Sequence, residues 1–163
     1  SRSRSWLLKL AKREASGTPE DPVLAAGIVV WRKNDHGVIE FLLLQNALHH
    51  TWSYAKGHAD SDDSDLIQTA LRELAEETGV LMTPNQLVND FADVSTYRVK
   101  DSYWKQVVYF LSSKPCTAAI TCSPEHEAHQ WLPEKEALAL LPHQDLKRTL
   151  IRAAMHLTHA HAT

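Results

Sequence analysis

The chain has 163 residues and a mass of 18.4 kDa, enough for one domain of ordinary size. Apolar residues make up 44%, charged residues 23%, and the net charge is −3, a balance that excludes a disordered, collagenous or coiled-coil chain. No apolar run reaches the roughly 18 residues a membrane span needs, and Cys116 and Cys122 form neither a disulfide framework nor a zinc pattern, so a reducing, cytoplasmic compartment is expected and both cysteines read as structural.

Residues 1–16 carry five basic groups, Arg2, Arg4, Lys9, Lys12 and Arg13, against Glu14. This Ser-rich, basic composition suits a mitochondrial or other organellar targeting segment, or a basic arm touching RNA. It equally suits a peripheral helix at the edge of the domain. The stretch GTPEDP reads as a linker, so residues 1–22 form an arm and linker ahead of a single domain at 23–163. The pattern predicts a strand over 23–33, a turn at NDHG and a second, buried strand over 38–45, together a hairpin. A loop with His49, His50 and Trp52 follows, then Lys56, Gly57 and His58, then an acidic loop.

Over 66–78 the pattern is helical: Leu66, Ala70 and Leu74 recur at four-residue intervals beside Ile67 and Leu71, and Gly79 supplies the stop. Two strands are expected over 91–99 and 104–112, and a short one over 126–132. Pro133 opens a helix through 141, and 145–157 forms the last. Strands broken by one central helix and closed by terminal helices predict an α/β or α+β sandwich.

The central helix carries the informative chemistry. Glu73, Glu76 and Glu77 stand at i, i+3 and i+4, which places their carboxylates on one face, expected roughly opposite the apolar stripe. Arg72, on a neighbouring face, offsets only part of that charge. Residues 57–77 hold seven acids against that one base. Two readings stand side by side: a solvated acidic face, or a site for a hard divalent cation such as Mg2+, with the Gly57 carbonyl as a further ligand.

The segment GHADSDDSDLIQTALRELAEETGV (57–80) resembles the box of the Nudix hydrolases. Arg72, Glu73, Leu74, Glu76, Glu77, Gly79 and Val80 match the right half of that pattern. The left half departs from it: the stretch from Gly57 to Arg72 is one residue longer, so Asp63 or Ser64 falls where the family has a glutamate. EFLLLQ, the stretch from His49 to His58, KQVVYFL and SPEHEAHQWL resemble, in order, parts of the asymmetrical diadenosine tetraphosphate hydrolases. The resemblance implies the Nudix fold, a mixed β-sheet sandwiched between helices, with the box as a loop–helix–loop beside the sheet.

It also implies roles. Glu73, Glu76 and Glu77, with Gly57 and the additional Glu125, would hold Mg2+ (or Mn2+), and Arg72 belongs to the same catalytic group. Glu125 would act as ligand or general base, the alternative being an exposed loop acid. Lys105 and Tyr109 match residues that contact polyphosphate, His49 or His50 matches a loop histidine near the phosphates, and Lys56 is either a phosphate contact or a surface lysine. Tyr97 is a candidate base-stacking ring; His143 lies where the family has a second aromatic. After Trp52 this chain has Ser53-Tyr54-Ala55 where the family has two prolines. The expected activity is Mg2+-dependent cleavage of a phosphoanhydride in nucleoside 5′-polyphosphates, diadenosine tetraphosphate going to ATP and AMP. The alternatives are an RNA 5′ pyrophosphohydrolase acting on triphosphorylated ends and a nucleotide-binding scaffold with weakened catalysis.

Overall fold

The computed structural model describes residues 15–161; the basic groups from Arg2 to Arg13 lie outside the described residues. The stretch after them is a closed turn, in which Gly17 and Thr18 donate backbone N–H groups to the Asp21 carbonyl. The Gly17 carbonyl in turn accepts from Trp104 and pins the turn to the sheet.

The strands in chain order are β1 (Val23–Val29), β2 (Trp31–Lys33), β3 (Ile39–Asn46), β4 (Trp52–Ser53), β5 (Ala55–His58), β6 (Asp93–Val99), β7 (Tyr103–Leu111) and β8 (His126–Pro133). The helices are α1 (Leu66–Thr78), α2 (Glu134–Leu140) and α3 (Gln144–His161), with a single 3-10 turn at Pro84–Gln86. The strand expected over 23–33 breaks at Val30 because the chain changes sheets there. The Val29 carbonyl still accepts from Ser112, after β7, whereas the Val30 carbonyl accepts from Leu42 of β3. The loop expected between His49 and His58 contains β4 and β5. Both are too short and too polar to show an alternating pattern.

The first sheet runs β5-β1-β7-β6, with β1 and β7 parallel and the other pairs antiparallel. The second is built on β3, which pairs with β2 and β4 and also with β8, all antiparallel. Alternation along the strands divides the core into two layers. Ala26, Ile28, Val30, Leu42, Leu44, Val108 and Phe110 pack with Leu66, Ala70 and Leu74 of α1. Ala25, Val29, Trp31, Phe41, Leu43, Val107 and Leu111 pack with Ala137 of α2 and Leu150, Ala153 and Leu157 of α3. Strands buried on both faces read as continuous apolar runs, which is why β1, β3 and β7 were legible. The result is the mixed sheet-and-helix sandwich expected.

Helix α1 has the expected limits. The Asp65 carboxylate accepts from the Gln68 amide at 2.8 Å, and Gly79 takes φ 77° while its N–H closes on the Ala75 carbonyl. Helix α3 runs beyond 157, and a buried charge ties it to β6. Asp93, 1% exposed, accepts from Arg148 at 3.3 Å, from Arg152 and from the Thr149 hydroxyl. We expect Asp93→Ala to lower the unfolding free energy by about 2–3 kcal/mol, because it removes several charge-assisted hydrogen bonds at once. Urea denaturation measures this, and an unchanged midpoint would contradict the anchoring role.

Candidate active site

At about 100° per residue, Glu73 and Glu77 fall within about 20° of Leu66 on the helix wheel, so they share the apolar side of α1 and do not lie opposite it. Only Glu76 points outward. Glu77 is buried at 5%, Glu73 is mostly covered, and Glu76 is exposed. The expected opposition fails because positions i+7 and i+11 return to the face of position i.

What admits carboxylates to this side is the free edge of β5. Lys56 pairs with Gly27 of β1 on one side and donates its own N–H outward to Glu77 Oε1 at 3.0 Å. Gly57 follows, and the approach is so close that a Cβ there would fall 2.1 Å from the Glu73 carboxyl carbon. Only glycine fits. Burial pushes the Glu77 carboxyl up to about 8; the Lys56 amide partly opposes this, while Glu73 and Glu125 add to it. Burial also raises Glu73, with Arg72 opposing and Glu76 and Glu125 adding. The four glutamates therefore lie close enough to repel one another.

Arg72 balances the outer part of this cluster. Its Nε and Nη2 grip Asp63 Oδ1 and Oδ2, each at 3.0 Å, and Nη2 also reaches the His58 carbonyl. Nη1 sits between Glu73 Oε1 at 3.0 Å and both Glu76 oxygens at 3.3 Å. Burial alone would raise Asp63. The bonds from Arg72, the Asp60 amide and Thr69 outweigh it and hold the carboxyl below the usual range. Of the two residues offered for the left half of the box, Asp63 is thus the one turned in to the arginine.

Among the described residues no three His, Cys, Asp or Glu side chains converge into a finished metal cluster. With Arg72 Nη1 between Glu73 and Glu76, the carboxylates face a guanidinium. The donor set nevertheless fits a hard divalent cation: oxygen ligands only, with a buried carboxylate short of positive charge.

On the other side of β5 a cleft of about 510 Å³ opens, lined by Lys56, Tyr97, Tyr109 and His143 among the expected residues. Its floor follows from register. Lys56, Gly27, Tyr109 and Asp93 form one row across the sheet, Val107 and Ser95 pair two residues along, and Lys105 and Tyr97 pair four residues along, with Lys105 outside the lining of the cleft. Lys105 is pushed down to about 8 by burial and by neighbouring Lys56, and burial lowers Lys56 too despite Glu77 and Glu73. Tyr109 is buried edge-on against Tyr54, whereas Tyr97 presents 37% of its surface. His49 and His50 do not line the cleft. The His49 amide binds Asn46 Oδ1, and His50 Nδ1 pairs with Glu127; Thr51 of the same loop lines the cleft. Glu125 is exposed, and its carbonyl accepts from Ala47.

Sequence reasoning missed the far wall: Ser95, Arg98, Gln144, Asp145 and Leu146. Ser95 could have been found, since it lies two residues before Tyr97 on the same face of β6. Asp145 could not, because its partner Ser95 is 50 residues away.

A profile of the NUDIX domain matches residues 21–154. The chain is 37% identical over 134 residues to the bis(5′-nucleosyl)-tetraphosphatase [asymmetrical] of Mus musculus, covering 77% of this chain and 89% of that protein. The Caenorhabditis elegans protein of the same name is 31% identical over 125 residues, covering 76% and 88%. The solved binary complex of the C. elegans Ap4A hydrolase superposes with a TM-score of 0.76 at 31% identity, over 83% of this chain and 98% of that one. The NUDIX domain of Shewanella oneidensis NrtR, at 23% identity and a TM-score of 0.68, shares the fold.

The buried Glu77 carboxyl has a stability consequence. Its pKa is higher folded than unfolded, so its contribution is full below about 4.5 and is lost as pH rises towards about 8. His58 and His126, both lowered mainly by burial, act in the opposite sense only below 6.5, and the lowered Lys56 and Lys105 oppose the Glu77 slope from the alkaline side, Lys105 only as pH nears 8. In EDTA the Tm should therefore fall between pH 6.5 and 8. Glu77→Gln should flatten that slope and raise the Tm at pH 8. A parent Tm that is level or rising across this window would contradict the burial argument.

Proposed function

The chain belongs to the NUDIX family, and on that premise we propose that it hydrolyses a phosphoanhydride bond of nucleoside 5′-polyphosphates with Mg2+, taking diadenosine tetraphosphate to ATP and AMP. One observation carries the reading: a buried, charge-deficient group of carboxylates and an elongated cleft with cationic and aromatic residues meet at the single strand β5. The likeness to asymmetrical tetraphosphatases supports the choice of substrate.

In this reading Glu73, Glu76, Glu77 and Glu125 would hold the cation at the outer edge of β5, where the backbone groups of Lys56 face outward, whereas those of Gly57, expected to supply a carbonyl, face β1. A divalent ion bound there would supply a Lewis acid for the phosphoryl oxygens and lower the pKa of the attacking water. Water adds across one P–O–P bridge: its oxygen forms the new bond to phosphorus, the bridging oxygen leaves, and a carboxylate accepts the released proton. We assign that role to Glu125, which is exposed and whose charge acts on Glu73 and Glu77. Lys56 and Lys105 face the polyphosphate and answer the charge that spreads over its oxygens. Their lowered pKa values record buried ammonium groups short of anions, a deficit that a bound polyphosphate would remove. Tyr97 receives a base.

Product analysis with Mg2+, offering diadenosine tetraphosphate and 5′-triphosphorylated RNA in parallel, tests the proposal. ATP and AMP in equal amounts with the RNA untouched is the expected result. Pyrophosphate release from the RNA would move the assignment to RNA ends, and inactivity on both would leave a binding module. Glu76→Gln should lose at least ~100-fold in activity while its Tm stays close to the parent, since that side chain is exposed.

A further inference from the structure

The far end of the cleft carries an acidic group that phosphate chemistry does not use. Asp145, in the first turn of α3, lines the cleft together with Ser95, Tyr97, His143 and Gln144. Its carboxylate is held from the protein side. Ser95 Oγ donates to Oδ2 at 2.6 Å, and Arg148 Nη1 donates to Oδ1 at 3.2 Å. An ionised carboxylate has about four acceptor positions over its two oxygens. One on each oxygen is taken here, and 46% of the side chain remains exposed. Each oxygen therefore keeps an acceptor position for an occupant of the cleft.

A group that only accepts discriminates between purines. Guanine offers adjacent N1–H and N2–H donors, matching two fixed carboxylate oxygens. Adenine offers one exocyclic amine flanked by ring nitrogens that are themselves acceptors and would face the carboxylate unfavourably. Tyr97 shares its strand face with Ser95 and neighbours Asp145, so a base lying on the Tyr97 ring has Asp145 and Gln144 beside its edge. Resting on the reading of the chain as a nucleoside polyphosphate hydrolase, we infer that Asp145 selects the base in this cleft by its donor edge, so that a guanine nucleoside is preferred to an adenine one and diadenosine tetraphosphate is cleaved as the slower of the two substrates.

The test compares kcat/KM for diguanosine and diadenosine tetraphosphate, each offered alone with Mg2+. The parent should prefer the guanine compound by roughly tenfold or more, the range of one paired base contact. Asp145→Asn should bring the ratio to one or below, because an amide can pair with the N6 and N7 positions of adenine. If Asp145 only holds α3 against β6, the substitution will depress both substrates alike, and an unmoved ratio overturns the inference. Calorimetric binding of GMP and AMP to the unmodified chain gives a second readout that needs neither turnover nor a variant. Tighter GMP supports the selection, and AMP equal or tighter overturns it. Absence of turnover on either dinucleotide would strike the hydrolase reading, while the monophosphate comparison would still decide the base.

Discussion

The structure turns on one hydrogen bond, from the Lys56 backbone N–H to the Glu77 carboxylate. β5 is the edge of its sheet, and an edge amide with no strand beside it must find another acceptor or stay wet. Here a helix supplies that acceptor, so α1 is locked to the sheet by a charged group within its own apolar face. The lock carries a cost. A carboxylate taken this far from water is deprived of hydration, and its elevated pKa is the measure of that loss. The molecule has thus placed a carboxylate where Lys56 and His126 offset its charge in part, and an incoming cation, or a proton, would relieve it further.

Arg72 answers the same problem on the outer side, and its geometry explains how the departure in the box is absorbed. A guanidinium has five donors in a rigid fork, and here they serve Asp63, Glu73, Glu76 and the His58 carbonyl together. The loop before α1 is one residue longer than the family pattern, and the side chain that meets the fork is one methylene shorter than glutamate. Extra backbone and a shorter side chain act in opposite directions on where the carboxylate lands. Asp63 arrives bidentate on Arg72, buried and capped by Thr69 and the Asp60 amide.

What was legible in the sequence follows from whether a signal is local. The limits of α1 were readable because its apolar repeat and Gly79 all lie within 14 residues. The doubly buried strands were readable as apolar runs. The side of the helix on which the glutamates lie was misjudged because i, i+3 and i+4 spacing fixes their relation to each other, whereas burial of Glu77 depends on an edge strand too short to announce itself. Tyr54 is a similar case. It reads as one aromatic in a polar loop, yet its ring stacks edge-on with Tyr109 and its hydroxyl donates to the Leu146 carbonyl, fixing the start of α3 to the far side of the cleft. The wall that contains Asp145 is assembled from β6 and α3 by contacts such as Asp93 to Arg148 and Ser95 to Asp145, between residues some 50 positions apart. No window of sequence contains both partners.

The strand order then sets the length of anything that fills the site. Lys56 lies on β5 and Tyr97 on β6, at opposite edges of the order β5-β1-β7-β6. Three strand spacings separate them, roughly 14 Å across the sheet before any displacement along the strands. A single phosphate group cannot touch both ends of such a floor, and a base alone cannot reach the carboxylates below β5. An extended ligand with anionic groups at one end and a planar ring at the other can. The middle row helps it: Gly27 leaves no side chain between Lys56 and Tyr109, and a Cβ there would collide with the Ala55 carbonyl and the Lys56 side chain at 2.4 and 2.7 Å. The flat floor and the buried carboxylates thus have one origin, the close packing of β1, β5 and α1 at two glycines, Gly27 above the strand and Gly57 below it.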